Sequence, residues 1–170
     1  LRRGDIGPVN EIHIWTDRPI WPQGQGRPKT EDPVPPHLNW DAFVGPAPLR
    51  PYHKEAYHPF NWRGWLDFGT GALGDMACHT MNMAAMAPQL FDPVAVEAMP
   101  EWTGEARQES YPKTCVVRYG FGPRGDLPPC KLFWYEGGRR PPEDLHPGIK
   151  QKASGSLVIG EKGAIYSDND

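Results

Sequence analysis

Asp75 and His79 are the residues whose types and spacing best support chemistry in this sequence. They lie four apart in "LGDMACHTMNMAAMA", an Ala- and Met-rich run that ends at Pro88 and predicts the best helix of the chain. Residues i and i+4 share a helix face, so the carboxylate and the imidazole would project together, with Asn82 and Met86 extending that face. A carboxylate beside an imidazole can orient the ring and favour its protonated form. Such a pair can take a proton from a hydroxyl or return it. Asp75 is expected to open the helix, where a carboxylate caps free amides and meets the positive dipole end. The same spacing could hold a metal, but no third ligand is visible, so no metal site is assigned. The competing structural reading is an N-cap Asp followed by a hydrogen-bonded core His.

The residues just before this helix contain a second signal. Gly69, Gly71 and Gly74 spell G-x-G-x-x-G, and Glu97 lies about as far on as a ribose-binding acid should. That fingerprint needs a buried parallel strand directly before the first glycine. Here the preceding residues are "NWRGWLDF", interrupted by Arg63, Gly64 and Asp67. An Asp at the helix start would also oppose a pyrophosphate. The glycines therefore read as a tight approach into the helix, not as a nucleotide turn.

Trp62, Arg63 and Trp65 stand immediately upstream. Indoles cover sugar faces and a guanidinium donates to oxygens, so this trio at a helix mouth would suit a polyol. Core tryptophans and a surface or salt-bridged Arg63 are the plainer alternative. His13, His37, His53, His58 and His146 carry no comparable partner spacing and read as structural or exposed. "EGGRRPPEDL", Glu136 to Leu145, reads as a solvated turn of mixed charge.

The elements that must position these residues follow from the pattern along the chain. "GPVNEIHIWT" alternates, with Val9, Glu11, His13 and Trp15 facing one way and Asn10, Ile12 and Ile14 the other, which predicts a strand with both faces at least partly covered. Residues 18–61 are dominated by Pro, Gly and aromatics and cannot be helical for long. "NWDAFVG" within them predicts a short helix with Asn39 as N-cap. Trp21, Trp40, Tyr52 and Tyr57 predict that this excursion packs on the domain instead of acting as a free linker. After the central helix come strand-like runs in "PVAVEAMPEW", "TCVVRYGFG", "KLFWYEGG" and "GSLVIGEKGAIYSD", where "GEKG" predicts a hairpin turn. The sum is an α+β domain over residues 1–170, built on an open, mainly antiparallel sheet with a long Pro- and Trp-rich loop excursion.

Composition excludes several classes. With 21 Pro and 19 Gly in 170 residues, loops are abundant, but 7 Trp and 6 Tyr oppose disorder. A net charge of -3 without a basic cluster makes nucleic acid an unexpected partner. No apolar run is long enough for a membrane span, and "LRRGDIGPVN" lacks the apolar region of a signal peptide. Cys78, Cys115 and Cys130 are odd in number and widely spaced, and read as small buried thiols. The missing initiator Met and the end at "GAIYSDND", just after a strand-like run, are expected of a piece of a longer protein.

"GPVNEIHIWTDRPIWPQG", "NWDAFVGPAPLRPYHKEAYHPFNWRGWLDFGTGALGDMACH" and "GSLVIGEKGAIYSDND" together resemble the C-terminal domain of Gfo/Idh/MocA oxidoreductases, in particular a bacterial subgroup rich in W-R-x-W and G-T-G-x-L-G-D-M-x-C-H. The resemblance covers nearly the whole chain. It implies a sheet with helices on one face, the other face often serving as an oligomer interface. It also implies a parent enzyme whose N-terminal Rossmann domain, absent here, binds NAD or NADP and supplies a catalytic Lys. No cofactor is expected for this chain alone, and activity of the chain alone is not expected either. Asp75 and His79 match a family pair beside the nicotinamide, the His serving as acid/base, and the substrates implied are sugars, polyols or their derivatives. A non-catalytic binding or assembly module, and sugar lyase or hydrolase chemistry through transient oxidation, are the competing readings.

Overall fold

Strand β1 (Val9–Trp15) occupies the interior of a six-stranded sheet. In the computed structural model, which describes residues 3–102 and 104–168, the other strands are β2 (Pro93–Glu101), β3 (Thr114–Phe121), β4 (Cys130–Glu136), β5 (Gly155–Gly160) and β6 (Gly163–Asp168). Their order is β2-β3-β4-β1-β5-β6, and only the β1–β4 pairing is parallel. The fold is the expected α+β class, an open and mostly antiparallel sheet with few helices.

Register sorts the side chains onto two faces because alternate residues of a strand point oppositely. Ile12 and Ile14 of β1, Leu132 and Trp134 of β4 and Val117 of β3 face one way. They are buried under Leu73, Met76, Ala77, Ala84 and Ala85 of the two short helices α2 (Gly71–Thr80) and α3 (Asn82–Met86). The opposite face carries Trp15, Val116, Tyr135 and Leu157 as a second buried cluster. The loop after β4 roofs part of that face: Leu145 and Ile149 pack on the cluster, and Trp15 Nε1 donates to the Lys152 carbonyl at 2.9 Å. Edge strand β2 is exposed along nearly its whole length, and its Pro93 and Pro100 suit an edge position.

The excursion between β1 and α2 builds its own small core. Its short helix α1 (Trp40–Val44) is capped as expected, with Asn39 Oδ1 accepting the Ala42 N–H at 3.0 Å. Trp40, Val44, Tyr52, Ala56, Tyr57 and Trp65 bury together. Arg50 lies wholly buried among them, with its guanidinium 4.7 Å from the centre of the Phe68 ring and ion-paired to Asp67. The aromatic residues thus pack the loop upon itself and against the domain, because apolar rings and a desolvated cation each need partners.

Candidate functional site

The mouth of the site forms where this aromatic loop meets α2. A one-turn 3-10 helix (Asn61–Gly64) presents Trp62 and Arg63, both partly exposed. The Arg63 guanidinium lies 4.5 Å from the Trp62 ring centre, 4.6 Å from Phe60 and 5.8 Å from Trp21. Its Nη1 donates to the Phe60 carbonyl at 3.1 Å, and its Nε donates to Asp75 Oδ1 at 3.2 Å. Stacked rings on a guanidinium fix its plane, and the carboxylate fixes its direction.

The expected helix start is corrected. Asp75 does not open α2, which begins four residues earlier at Gly71, and Thr70 at the N-cap makes no side-chain capping bond. The entry is made by glycine: Gly71 has φ +64, and a Cβ there would lie 2.6 Å from Cγ of Tyr111. Tyr111 also donates from its hydroxyl to the Gly69 carbonyl at 3.0 Å, while its backbone N–H donates to the Gly64 carbonyl at 2.9 Å. Tyr111 therefore braces the turn that leads into α2. A lone Tyr far along the chain carries no local signal for this. The Gly69–Gly74 turn follows a 3-10 turn instead of a strand, and Gly69 packs against the Arg63 backbone. The residues present do not build a dinucleotide cradle.

His79 stands one turn beyond Asp75, exposed, and is not hydrogen-bonded to it. The carboxylate is engaged by Arg63 instead, so the expected Asp75–His79 contact becomes a sequence Arg63–Asp75–His79 along one face of the mouth. Asn82 is exposed and lies past a break at Met81, where Thr80 Oγ1 donates back to the Met76 carbonyl at 3.2 Å. Trp65 is corrected as a ligand-facing residue: it is fully buried and donates from Nε1 to the Ala56 carbonyl at 2.6 Å. Its ring packs in the core of the aromatic loop, 4.8 Å from the Tyr57 ring centre. Cys78 is exposed, against expectation, while Cys115 and Cys130 are buried.

Two further titratable groups are buried: His13, which was expected to be structural or exposed, and Glu136, which was expected to lie in a solvated turn. His13 is 3% exposed. Its Nδ1 lies 2.9 Å from the Tyr135 hydroxyl, its Nε2 lies 2.8 Å from Glu11, and its ring stacks on Phe133. Burial lowers the His13 pKa, opposed by Glu11, and raises Tyr135 to about 12. The neutral ring with its proton on Nε2 donates to Glu11 and accepts from Tyr135. Glu11 and His13 are two apart on a strand, so their shared face was legible. The second group is Glu136, which is not part of a solvated turn: it ends β4 on the helix face, 3% exposed, and accepts from Trp134 Nε1 at 2.8 Å. Burial pushes its carboxyl up to about 7.

Residues 15–98 match the family model described as the oxidoreductase family, C-terminal alpha/beta domain, which places this chain in the Gfo/Idh/MocA family as a C-terminal domain. The match runs from the end of β1 through α2 and α3 into β2, and so contains every residue of the mouth except Tyr111. A search of curated proteins finds no significant match.

Proposed function

We propose that the chain is the substrate-binding and oligomerisation half of a nicotinamide-dependent oxidoreductase that oxidises a CH–OH group of a sugar, polyol or derivative. The observation that carries this reading is the exposed His79 imidazole one helical turn from the Arg63–Asp75 ion pair, beside the Trp62 ring. Family membership supports a hydride acceptor, NAD or NADP, bound mainly by a Rossmann domain outside this chain. His79 would take the hydroxyl proton as the carbonyl forms. Asp75 would set the electrostatics around the imidazole, Arg63 would donate to substrate oxygens and Trp62 would cover an apolar sugar face. Asn82, further along the same side, would complete the polar contacts.

The test is His79→Ala in a parent protein that includes the cofactor domain. Turnover with a polyol substrate is expected to fall at least about a hundredfold with an unchanged melting temperature, since the side chain is exposed. Equal turnover in the two proteins would remove the acid/base role and leave a non-catalytic binding module. Product analysis separates net oxidation from lyase or hydrolase chemistry through transient oxidation.

Self-association through the far sheet face belongs to the same reading. Met99 is 46% exposed on that face, and Phe133 is half-buried beside Arg118, which pairs with Glu97. Sedimentation velocity should show a dimer or larger species, and a monomer at high concentration would count against it.

A further inference from the structure

Residues 109–112 run as a strap between the aromatic loop and the entry to α2, and the acid/base reading gives them no role. On the loop side, the Gly24 N–H donates to the Tyr111 carbonyl at 2.7 Å and Gln23 Nε2 donates to the Pro112 carbonyl at 2.8 Å. The wholly buried Ser110 donates from Oγ to the Gln25 carbonyl at 2.7 Å. On the mouth side, the Leu66 N–H donates to the Glu109 carbonyl at 3.0 Å and the Tyr111 N–H to the Gly64 carbonyl at 2.9 Å. The strap is thus held from both sides by bonds that do not involve the Tyr111 side chain.

That side chain reaches where the backbone of the strap does not. Its hydroxyl donates to the Gly69 carbonyl at 3.0 Å, and its ring fills the space beside Gly71. Burial raises its pKa, so the hydroxyl keeps the proton it donates. Residues 64–71 join the turn that carries Trp62 and Arg63 to the helix that carries Asp75 and His79. They include Gly64, Gly69 and Gly71, and a connection so rich in glycine has wide conformational freedom unless something outside it fixes both ends. The helix does not fix its own start, since Thr70 makes no side-chain cap. Gly69 is also pressed on Arg63: a Cβ there would lie 2.5 Å from the Arg63 carbonyl oxygen. The contacts form a path from Tyr111 through Gly69 to the Arg63 backbone, and from the Arg63 guanidinium to Asp75 at 3.2 Å.

We propose that Tyr111 is a positioning residue for the mouth: by holding the Gly64 and Gly69 carbonyls at once, it sets the reach of Arg63 to Asp75 and so the direction in which the Asp75 and His79 face of α2 projects. The inference rests on the acid/base reading only for what the mouth does, since the brace itself is a property of the fold.

Tyr111→Phe in this chain tests the proposal without any assay of activity, because it removes the hydroxyl bond and leaves the ring and both backbone bonds in place. The readout is the Arg63 Nε–H proton, followed by NMR in mildly acidic solution, where guanidinium exchange is slow enough to measure. In Tyr111→Phe its exchange with water is expected to quicken about fivefold, the effect of one lost hydrogen bond, while the Ile12 and Ile14 amides of β1 keep their protection. Asp75→Asn calibrates the signal and should quicken exchange at least as much. Unchanged exchange in Tyr111→Phe would overturn the proposal. So would an equal loss of protection in β1, which would mark a general packing role, and so would a signal indifferent to Asp75→Asn, which would mark an Arg63 that is not paired. Failure of the acid/base reading would appear only as normal turnover in His79→Ala and would leave the exchange result standing.

Discussion

His79 and His13 each stand near a carboxylate, yet the molecule treats them in opposite ways. His79 is exposed on a helix, and its neighbouring carboxylate is held by Arg63. His13 is sealed on the far face of the sheet, with both ring nitrogens satisfied and a ring stacked on it. A histidine with every valence occupied and no solvent contact is a structural element. One with open nitrogens beside an oriented charge is available for proton transfer. The spacing that draws the eye in the sequence therefore marks the exposed residue to which the proposed acid/base role is given, while the fully bonded one hides in a strand.

The sharpest way to break that contrast is to delete both rings in a protein that includes the cofactor domain. His79→Ala is expected to cost turnover at least about a hundredfold, whereas His13→Ala should leave turnover per folded molecule within about twofold. Steady-state kinetics decides it, and a comparable loss in both variants would erase the distinction.

Stability against pH comes next in size. The Glu136 carboxyl is raised from 4.5 to about 7 by burial, so the folded state holds a proton that the unfolded state releases. Its stabilisation is complete below about pH 4.5 and is lost as pH rises through about 7, up to about 3 kcal/mol. The lowered pKa of His13 works in the other direction: its stabilisation is present above 6.5 and is lost as pH falls below it. Chemical denaturation from pH 4 to 8 should therefore show Glu136→Gln stabilising the neutral side relative to the parent chain, and His13→Gln flattening the acid side. A single slope unaffected by either variant would contradict the assignment.

Smaller again is the direct cost of His13→Ala at pH 7.5. The buried Tyr135 and the part-buried Glu11 lose their bonds, and about 2 kcal/mol should be lost in urea unfolding. The smallest effect falls to Arg63→Met. The Arg63–Asp75 pair is about a quarter exposed on both sides, so its loss should change stability by well under about 1 kcal/mol. If stability drops by more, Arg63 is a structural clamp and not a substrate contact.

Much of this arrangement was legible in the residues, and the exceptions have physical reasons. The alternation of β1, the Asn39 cap and the "GEKG" hairpin were local signals, and the structure contains each of them. Family likeness could be read from the block around residues 62–79, which lies inside the matched range. The start of α2 was misplaced because Asp is a good cap, but here the entry is fixed by Tyr111, some forty residues away. Trp65 could not be told from Trp62 because both are indoles in one turn, and only the packing of the aromatic loop decides which is sealed. Glu136 was hidden by its neighbours: Gly137, Gly138, Arg139 and Arg140 signal solvent, while the carboxylate itself still belongs to β4.

The parallel pairing of β1 with β4 has a consequence for biogenesis. Trp15 aligns with Tyr135, and on its other side β1 takes β5 as neighbour, with Trp15 opposite Gly155. As the chain leaves the ribosome, β1 emerges long before either flanking strand exists. Ile12 and Ile14 must wait, unpaired, while the aromatic loop condenses locally around Trp40 and Trp65. Such distant pairings close slowly and leave apolar strands exposed in the interval. Nascent chains stalled before β4 should therefore be chaperone clients, with the aromatic loop already protected from proteases and β1 still open to them.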